Sequence, residues 1–147
     1  MELRKKTDSI IIHCAATKPS MDIGYKEIRK WHVDQNGWDD VGYHFIIKRD
    51  GQYEKARPEG YSGAHAPSHN GRSIGICLVG GMAEDGGPEN NFTLEQFLTL
   101  KDLVIMIMEK YSDITDVLGH CDVQENKPNC PGFNVKEWLN KEAINVA

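Results

Sequence analysis

The chain has 147 residues, with 17 Lys+Arg against 22 Asp+Glu and a formal net charge of −5. Domains run to roughly 100–150 residues, so one domain with its own core is expected, without disulfide staples. The 39% hydrophobic and 27% charged residues exclude global disorder, no apolar run approaches the roughly 20 residues of a membrane span, and the acidic balance argues against general binding to nucleic acid or anionic lipid.

The start, Met-Glu-Leu-Arg-Lys-Lys-Thr-Asp, is charged, and the apolar stretch behind it is only Ile10-Ile11-Ile12. A secretory signal needs an apolar core of roughly 7–15 residues. A product made in the cytoplasm, reaching any outside target only after release, is therefore expected. Cys14, Cys77, Cys121 and Cys130 are too sparse for a disulfide framework and read as free thiols, at least one of them open to a metal.

Ser9 to His13 reads as a short buried strand. Thr17-Lys18-Pro19-Ser20 is loop. Tyr25, Ile28 and Trp31 share one face of a helix over Tyr25–Gln35, which Asn36-Gly37 ends. Val41 to Lys48 is a second strand, and Asp50-Gly51 turns it into a hairpin through Tyr53-Glu54-Lys55. Arg57 to Arg72 is a long irregular segment, the kind that often carries function. Ser73 to Val79 is another strand, and Gly80 to Asn91 a Gly-rich loop. Thr93 with Gln96 makes a capping box that opens a helix to about Tyr111, with Phe97, Leu100, Val104, Ile107 and Met108 on its apolar face. Val117 to His120 is a short strand or strand end, Cys121 to Pro131 a loop, and Asn134 with Glu137 opens a last helix through Trp138 and Leu139. This order predicts a single α/β domain with a central mixed β-sheet flanked by helices.

His13 ends one strand, His120 ends another, and Cys130 follows ten residues later in a loop. Three protein ligands with an open fourth position make a catalytic zinc site, and strand ends hold such ligands rigidly. Both histidines precede a cysteine, and neighbours on a strand point to opposite faces. If His13 and His120 share a cavity, Cys14 and Cys121 face away from it. The reverse choice, with the cysteines as ligands, stays open by spacing alone.

Ile12-His13-Cys14-Ala15-Ala16-Thr17-Lys18-Pro19-Ser20, Glu27-Ile28-Arg29-Lys30-Trp31-His32 and Asp40 to Gly51 resemble the type-2 N-acetylmuramoyl-L-alanine amidases. So do Gly63-Ala64-His65-Ala66, Ser73 to Gly81, Asn91-Phe92-Thr93 and Cys130-Pro131-Gly132-Phe133, in the family's order over nearly the whole chain. The resemblance implies a zinc hydrolase, with one Zn2+ per chain, that cuts the amide between the lactyl group of N-acetylmuramic acid and L-alanine of the peptidoglycan stem peptide. Carried onto this sequence it implies His13, His120 and Cys130 as ligands and Tyr43 as the active-site tyrosine. It also implies a catalytic lysine two residues before the cysteine. Pro128 stands there, in a segment two residues longer than the family's, and Lys127 is the candidate. The resemblance places His65 and Asn70 near the substrate groove. Peptidoglycan recognition proteins share the fold, and members lacking the cysteine bind without cutting. Cys130 favours catalysis.

His44 is expected to face the core, His32 to be partly buried on its helix, His69 to be solvated, and Trp31 and Trp138 to be core residues; Trp38 is unassigned. The expected partner is peptidoglycan (muramyl peptides), with no nucleic acid, no membrane insertion and a monomeric chain that fills residues 1–147 with one amidase domain. A phage or prophage endolysin acting on the wall after release fits this reading. The alternatives are a thiol hydrolase pairing Cys130 with a histidine, and a non-catalytic module that binds peptidoglycan or regulates a polymerase.

Overall fold

The computed structural model describes residues 1–146. Strand β1 (Ser9–Cys14) is buried at all six positions, covered on both faces so that neither side is left for polar alternation. It pairs in parallel with β4 (Ser73–Leu78) on one side and β5 (Asp116–Gly119) on the other. β2 (Phe45–Ile47) runs parallel to β4, and β3 (Tyr53–Lys55) closes the edge antiparallel to β2. The order β3-β2-β4-β1-β5 is the expected mixed sheet. At the β2–β3 turn Gly51 sits at φ +88, where a side chain would be strained, and its N–H donates to Lys48 O at 2.9 Å.

One face of the sheet, with Ile10, Ile12, Phe45, Ile47, Ile74, Ile76 and Leu78, packs on α2 (Leu94–Lys110) and α4 (Val135–Lys141). Leu100, Leu103, Val104 and Ile107 of α2 are buried there, each contributing roughly 1.5–3 kcal/mol of burial. The capping box closes as its sequence predicts: Gln96 N–H donates to Thr93 Oγ1 at 3.1 Å and Thr93 N–H to Gln96 Oε1 at 3.0 Å. Trp138 is buried in this cluster, and Trp31 packs against the smaller cluster on the other face, with Ile23, Ile28, Val41, Ile46, Cys77 and Val79. His13 leaves β1 toward this thinner side.

Two elements differ from expectation. The first helix keeps its extent but not its winding. α1 (Tyr25–Arg29) passes into a π-helical turn over Lys30–Gln35, with Asn36 N–H donating to Trp31 O at 3.1 Å. There His32 faces the returning chain, and its Nδ1 accepts the Gly42 N–H at 3.0 Å. The strand expected over Val41 to Lys48 is regular only at Phe45–Ile47. Upstream, the carbonyls of Asp40 and Val41 take hydrogen bonds from the buried Arg57 guanidinium instead of a neighbouring strand. Gly42 meanwhile presses on the Ala64 carbonyl, which a Cβ would approach to 2.1 Å.

Candidate metal centre

The site follows from strand register. The parallel β1–β5 pair sets Ile12 beside Gly119, so the next residues, His13 and His120, leave the carboxyl end of the sheet together. Ligands gather at such ends in open α/β sheets. β5 stops at Gly119, and His120 opens the short helix α3 (His120–Val123) rather than ending the strand. Their rings lie 4.4 Å apart between centroids. Cys130 arrives from the following loop and is held twice: the Cys121 N–H donates to its carbonyl at 2.8 Å, and the Cys14 N–H to its Sγ at 3.3 Å.

One donor atom from each of His13, His120 and Cys130 lies within 4.8 Å of the others. His13 Nδ1 is 3.9 Å from Cys130 Sγ. Tetrahedral zinc with bonds of about 2.0–2.3 Å separates its ligand atoms by about 3.3–3.8 Å. Two imidazoles and one thiol are the donor types zinc takes, and this spacing fits it once the widest pair closes by about 1 Å.

Cys14 and Cys121 behave differently, for a reason visible in the backbone. Cys14 belongs to the α2 side of the sheet, as alternation predicts, yet at the strand end its thiol reaches Cys130 and lines the cleft. Cys121 is helical, not extended. It turns its Sγ to Asp122 at 3.9 Å, away from the three donors.

Burial sets the charge state. It pushes His13 and His65 well below the usual imidazole range, and other histidines nearby add to the effect: His65 and His120 on His13, and His44 and His120 on His65. Burial also lowers His120, against an opposing hydrogen bond to Gln124. The imidazoles are therefore neutral at neutral pH, with lone pairs free for a metal. The hydrogen bond that the two thiols share, with burial, pushes Cys130 up, and the same bond draws Cys14 down. Burial opposes ionisation of either thiol. A cation at the three converging donors would favour ionisation of Cys130, which alone of the two is grouped with the imidazoles.

Two clefts meet at this point. One, of about 440 Å³, runs past Cys14, Gly81, Met82, Pro88 and Asn129; the other, also about 440 Å³, past His32, Trp38, Ala64, Pro67 and Asn70. His13, Tyr43, His120 and Lys127 line both. Tyr43 is half-buried, its ring 5.1 Å from that of His13, and burial holds its phenol well above the usual range, with Cys77, Cys130 and Cys14 adding to the shift. Lys127 is exposed, and its ammonium makes no ion pair within 4.0 Å among the described residues.

The two residues expected at the substrate groove, His65 and Asn70, both line the second cleft, with side-chain atoms engaged in the protein's own hydrogen bonds. His65 is buried, and its ring nitrogens face His13 Nε2 at 2.8 Å and Ser73 Oγ at 3.2 Å. Neither nitrogen is left for a ligand. Asn70 Oδ1 accepts the N–H groups of His65 and Ala66 at 2.8 and 2.9 Å, and ties down the loop that carries His65. His44 is buried as expected, accepting the Gly75 N–H and facing Tyr61 O. His69 is half-buried rather than solvated, held between Ser68 and Arg72. Trp38 is 38% exposed and its ring lies tilted against that of His32, 4.6 Å between centroids. Sequence reasoning missed Gln124, whose Oε1 lies 2.5 Å from His120 Nε2. Its spacing of four residues from His120 is a helical signal, hidden because the segment reads as loop.

Residues 3–133 match the family described as N-acetylmuramoyl-L-alanine amidase. The chain is 45% identical over 141 residues to the endolysin of Escherichia phage T7, covering 96% of this chain and 91% of that one. Among solved structures, the endolysin N-acetylmuramoyl-L-alanine amidase LysCS from Clostridium intestinale URNW superposes with a TM-score of 0.81 at 32% identity, over 98% of this chain and 88% of that one. Bumblebee PGRP-SA superposes with a TM-score of 0.75 at 26% identity, over 94% and 83%. With the sheet, the converging His13, His120 and Cys130, and this match over most of its length, the chain belongs to the N-acetylmuramoyl-L-alanine amidase family.

Proposed function

We propose that the chain acts as an endolysin: holding one zinc ion on His13, His120 and Cys130, it hydrolyses the amide between the lactyl group of N-acetylmuramic acid and L-alanine in peptidoglycan. The observation that carries the zinc reading is the convergence of three donors within 4.8 Å where two clefts meet. A polymer crossing from one cleft to the other lays a central bond over those donors. When bound, zinc supplies Lewis acidity, which activates water and polarises a carbonyl.

The chain's own residues supply the rest. His13 and His120 enter as neutral donors and Cys130 as the one anionic donor, so the centre keeps a net positive charge. Tyr43, kept as a phenol by burial, donates a hydrogen bond to the scissile carbonyl oxygen as negative charge develops there. Lys127, at the mouth of both clefts, places its ammonium beside the same oxygen. The longer loop before Cys130 offsets the displacement of this lysine from the family's position. The protein works as a monomer on the wall after release from the cytoplasm; no helix is long and apolar enough to cross a membrane among the described residues.

Chelation separates this reading from a thiol hydrolase. Loss of activity on purified sacculi with chelator, and its return with zinc, supports the metal enzyme. Undiminished activity in a metal-stripped sample would assign the chemistry to Cys130 as nucleophile.

A further inference from the structure

We propose that His65 and Gln124 are positioning residues that lock both histidine ligands in the same tautomer, with the proton on Nε2 and Nδ1 presented to the metal. The inference rests on the zinc reading above.

The direction of each bond on the His13 side follows from one fixed point. The carbonyl of His69 can only accept. Ser73 Oγ lies 2.7 Å from it and must give it the single hydroxyl proton. Ser73 can then only accept from His65 Nε2, at 3.2 Å. His65 therefore carries its proton on Nε2, and its Nδ1 is a bare lone pair. That lone pair lies 2.8 Å from His13 Nε2, which must be the protonated nitrogen. His13 Nδ1 is left unprotonated, on the side facing Cys130 Sγ. A main-chain carbonyl thus selects the tautomer of a ligand through two side chains.

The His65 ring cannot turn out of this chain. A Cβ at Gly63 would come within 2.4 Å of His65 Cδ2, and one at Gly75 within 2.7 Å. The ring fills the space that two missing side chains leave. Below it, Asn70 fixes the His65 backbone N–H.

On the other ligand Gln124 performs the same task. The short helix α3 carries His120 and Gln124 one turn apart, with the Gln124 N–H donating to the His120 carbonyl at 3.1 Å. The Gln124 amide oxygen stands 2.5 Å from His120 Nε2 and accepts its proton. Both acceptors are neutral. No carboxylate hydrogen-bonds to either ligand ring among the described residues. Carboxylate partners raise the basicity of a metal-bound imidazole. An imidazole and an amide orient it without adding negative charge, which leaves the centre more electrophilic.

The test uses the full chain, stripped with chelator and reloaded, with zinc affinity measured by competition against a chromophoric chelator. Cobalt(II) absorption reports ligand geometry. Wild type is expected to bind one zinc. Gln124→Met and His65→Leu, which keep bulk but lose the acceptor, are expected to bind zinc about 10–100-fold more weakly and to alter the cobalt spectrum. Gln124→Glu restores an acceptor and is expected to recover or exceed wild-type zinc affinity while losing turnover, because its charge dampens the centre. If His65→Leu fails to fold, Gln124→Met on the half-buried helix end still decides the matter. Folded Gln124→Met with zinc affinity within twofold of wild type and an unchanged cobalt spectrum would overturn the inference. A wild-type chain that binds no zinc would instead overturn the metal reading beneath it.

Discussion

The backbone N–H of Cys14 donates to Cys130 Sγ at 3.3 Å, across 116 residues of chain. The residue after one proposed ligand thereby anchors another, and this hydrogen bond would stabilise a Cys130 thiolate beside a bound cation. Cys130→Ser keeps a small side chain but loses the soft donor. It is expected to lose stoichiometric zinc and cleavage of sacculi together, by metal analysis and turbidity. Full retention of both would remove Cys130 from the ligand set.

Tyr43 and Lys127 share the walls of both clefts with the metal donors but are not among them. Removing either should therefore separate catalysis from metal binding. Tyr43→Phe deletes one hydrogen-bond donor aimed at developing charge, and is expected to lower kcat by about 10²–10³-fold. Lys127→Ala is expected to lower it by on the order of 10²-fold, the side chain being exposed to solvent. Zinc content should stay at one per chain in both. A Lys127→Ala variant as active as wild type would hand that role to another residue on the 124–130 loop.

His44 makes stability depend on pH. Burial lowers its pKa from 6.5 to about 4, so between those values the unfolded chain binds a proton that the folded chain does not. Its contribution is fully present above pH 6.5 and is lost as pH falls toward 4, reaching about 3 kcal/mol. His13, His65 and His120 shift in the same direction in the metal-free protein. His44→Gln retains one donor and one acceptor but does not titrate. Denaturant unfolding of metal-free protein from pH 7.5 to 4 is expected to show a shallower loss of stability for His44→Gln than for wild type. Parallel curves would mean that His44 ionises equally in both states.

Much of this molecule is legible in its sequence where chemistry and period agree. Ile10-Ile11-Ile12 announces a strand covered on both faces, Thr93 with Gln96 announces a helix start, and Asp50-Gly51 announces a hairpin; each is present. The regular strand begins at Phe45 instead of Val41, and upstream of it the Arg57 side chain, remote from any local pattern, takes the carbonyls of Asp40 and Val41. His13, His120 and Cys130 stood out through the resemblance, whereas spacing alone left Cys14 and Cys121 equally eligible. What separates them is the β1–β5 register and the change from strand to helix at His120. The resemblance places His65 at the groove, and it does line the second cleft, but its part in a chain of ring hydrogen bonds is not legible in the sequence. Its two ring partners come from β1 and β4, and only the folded sheet brings those together.

Whether the chain hydrolyses the amide between the lactyl group and L-alanine is decided by mass spectrometry of digested sacculi. Free stem peptides with an L-alanine amino terminus are expected beside intact glycan strands, in a reaction that chelator stops and zinc restores. Release of disaccharide-peptides with the lactyl–alanine bond uncut, or sacculi bound without any release, would contradict it.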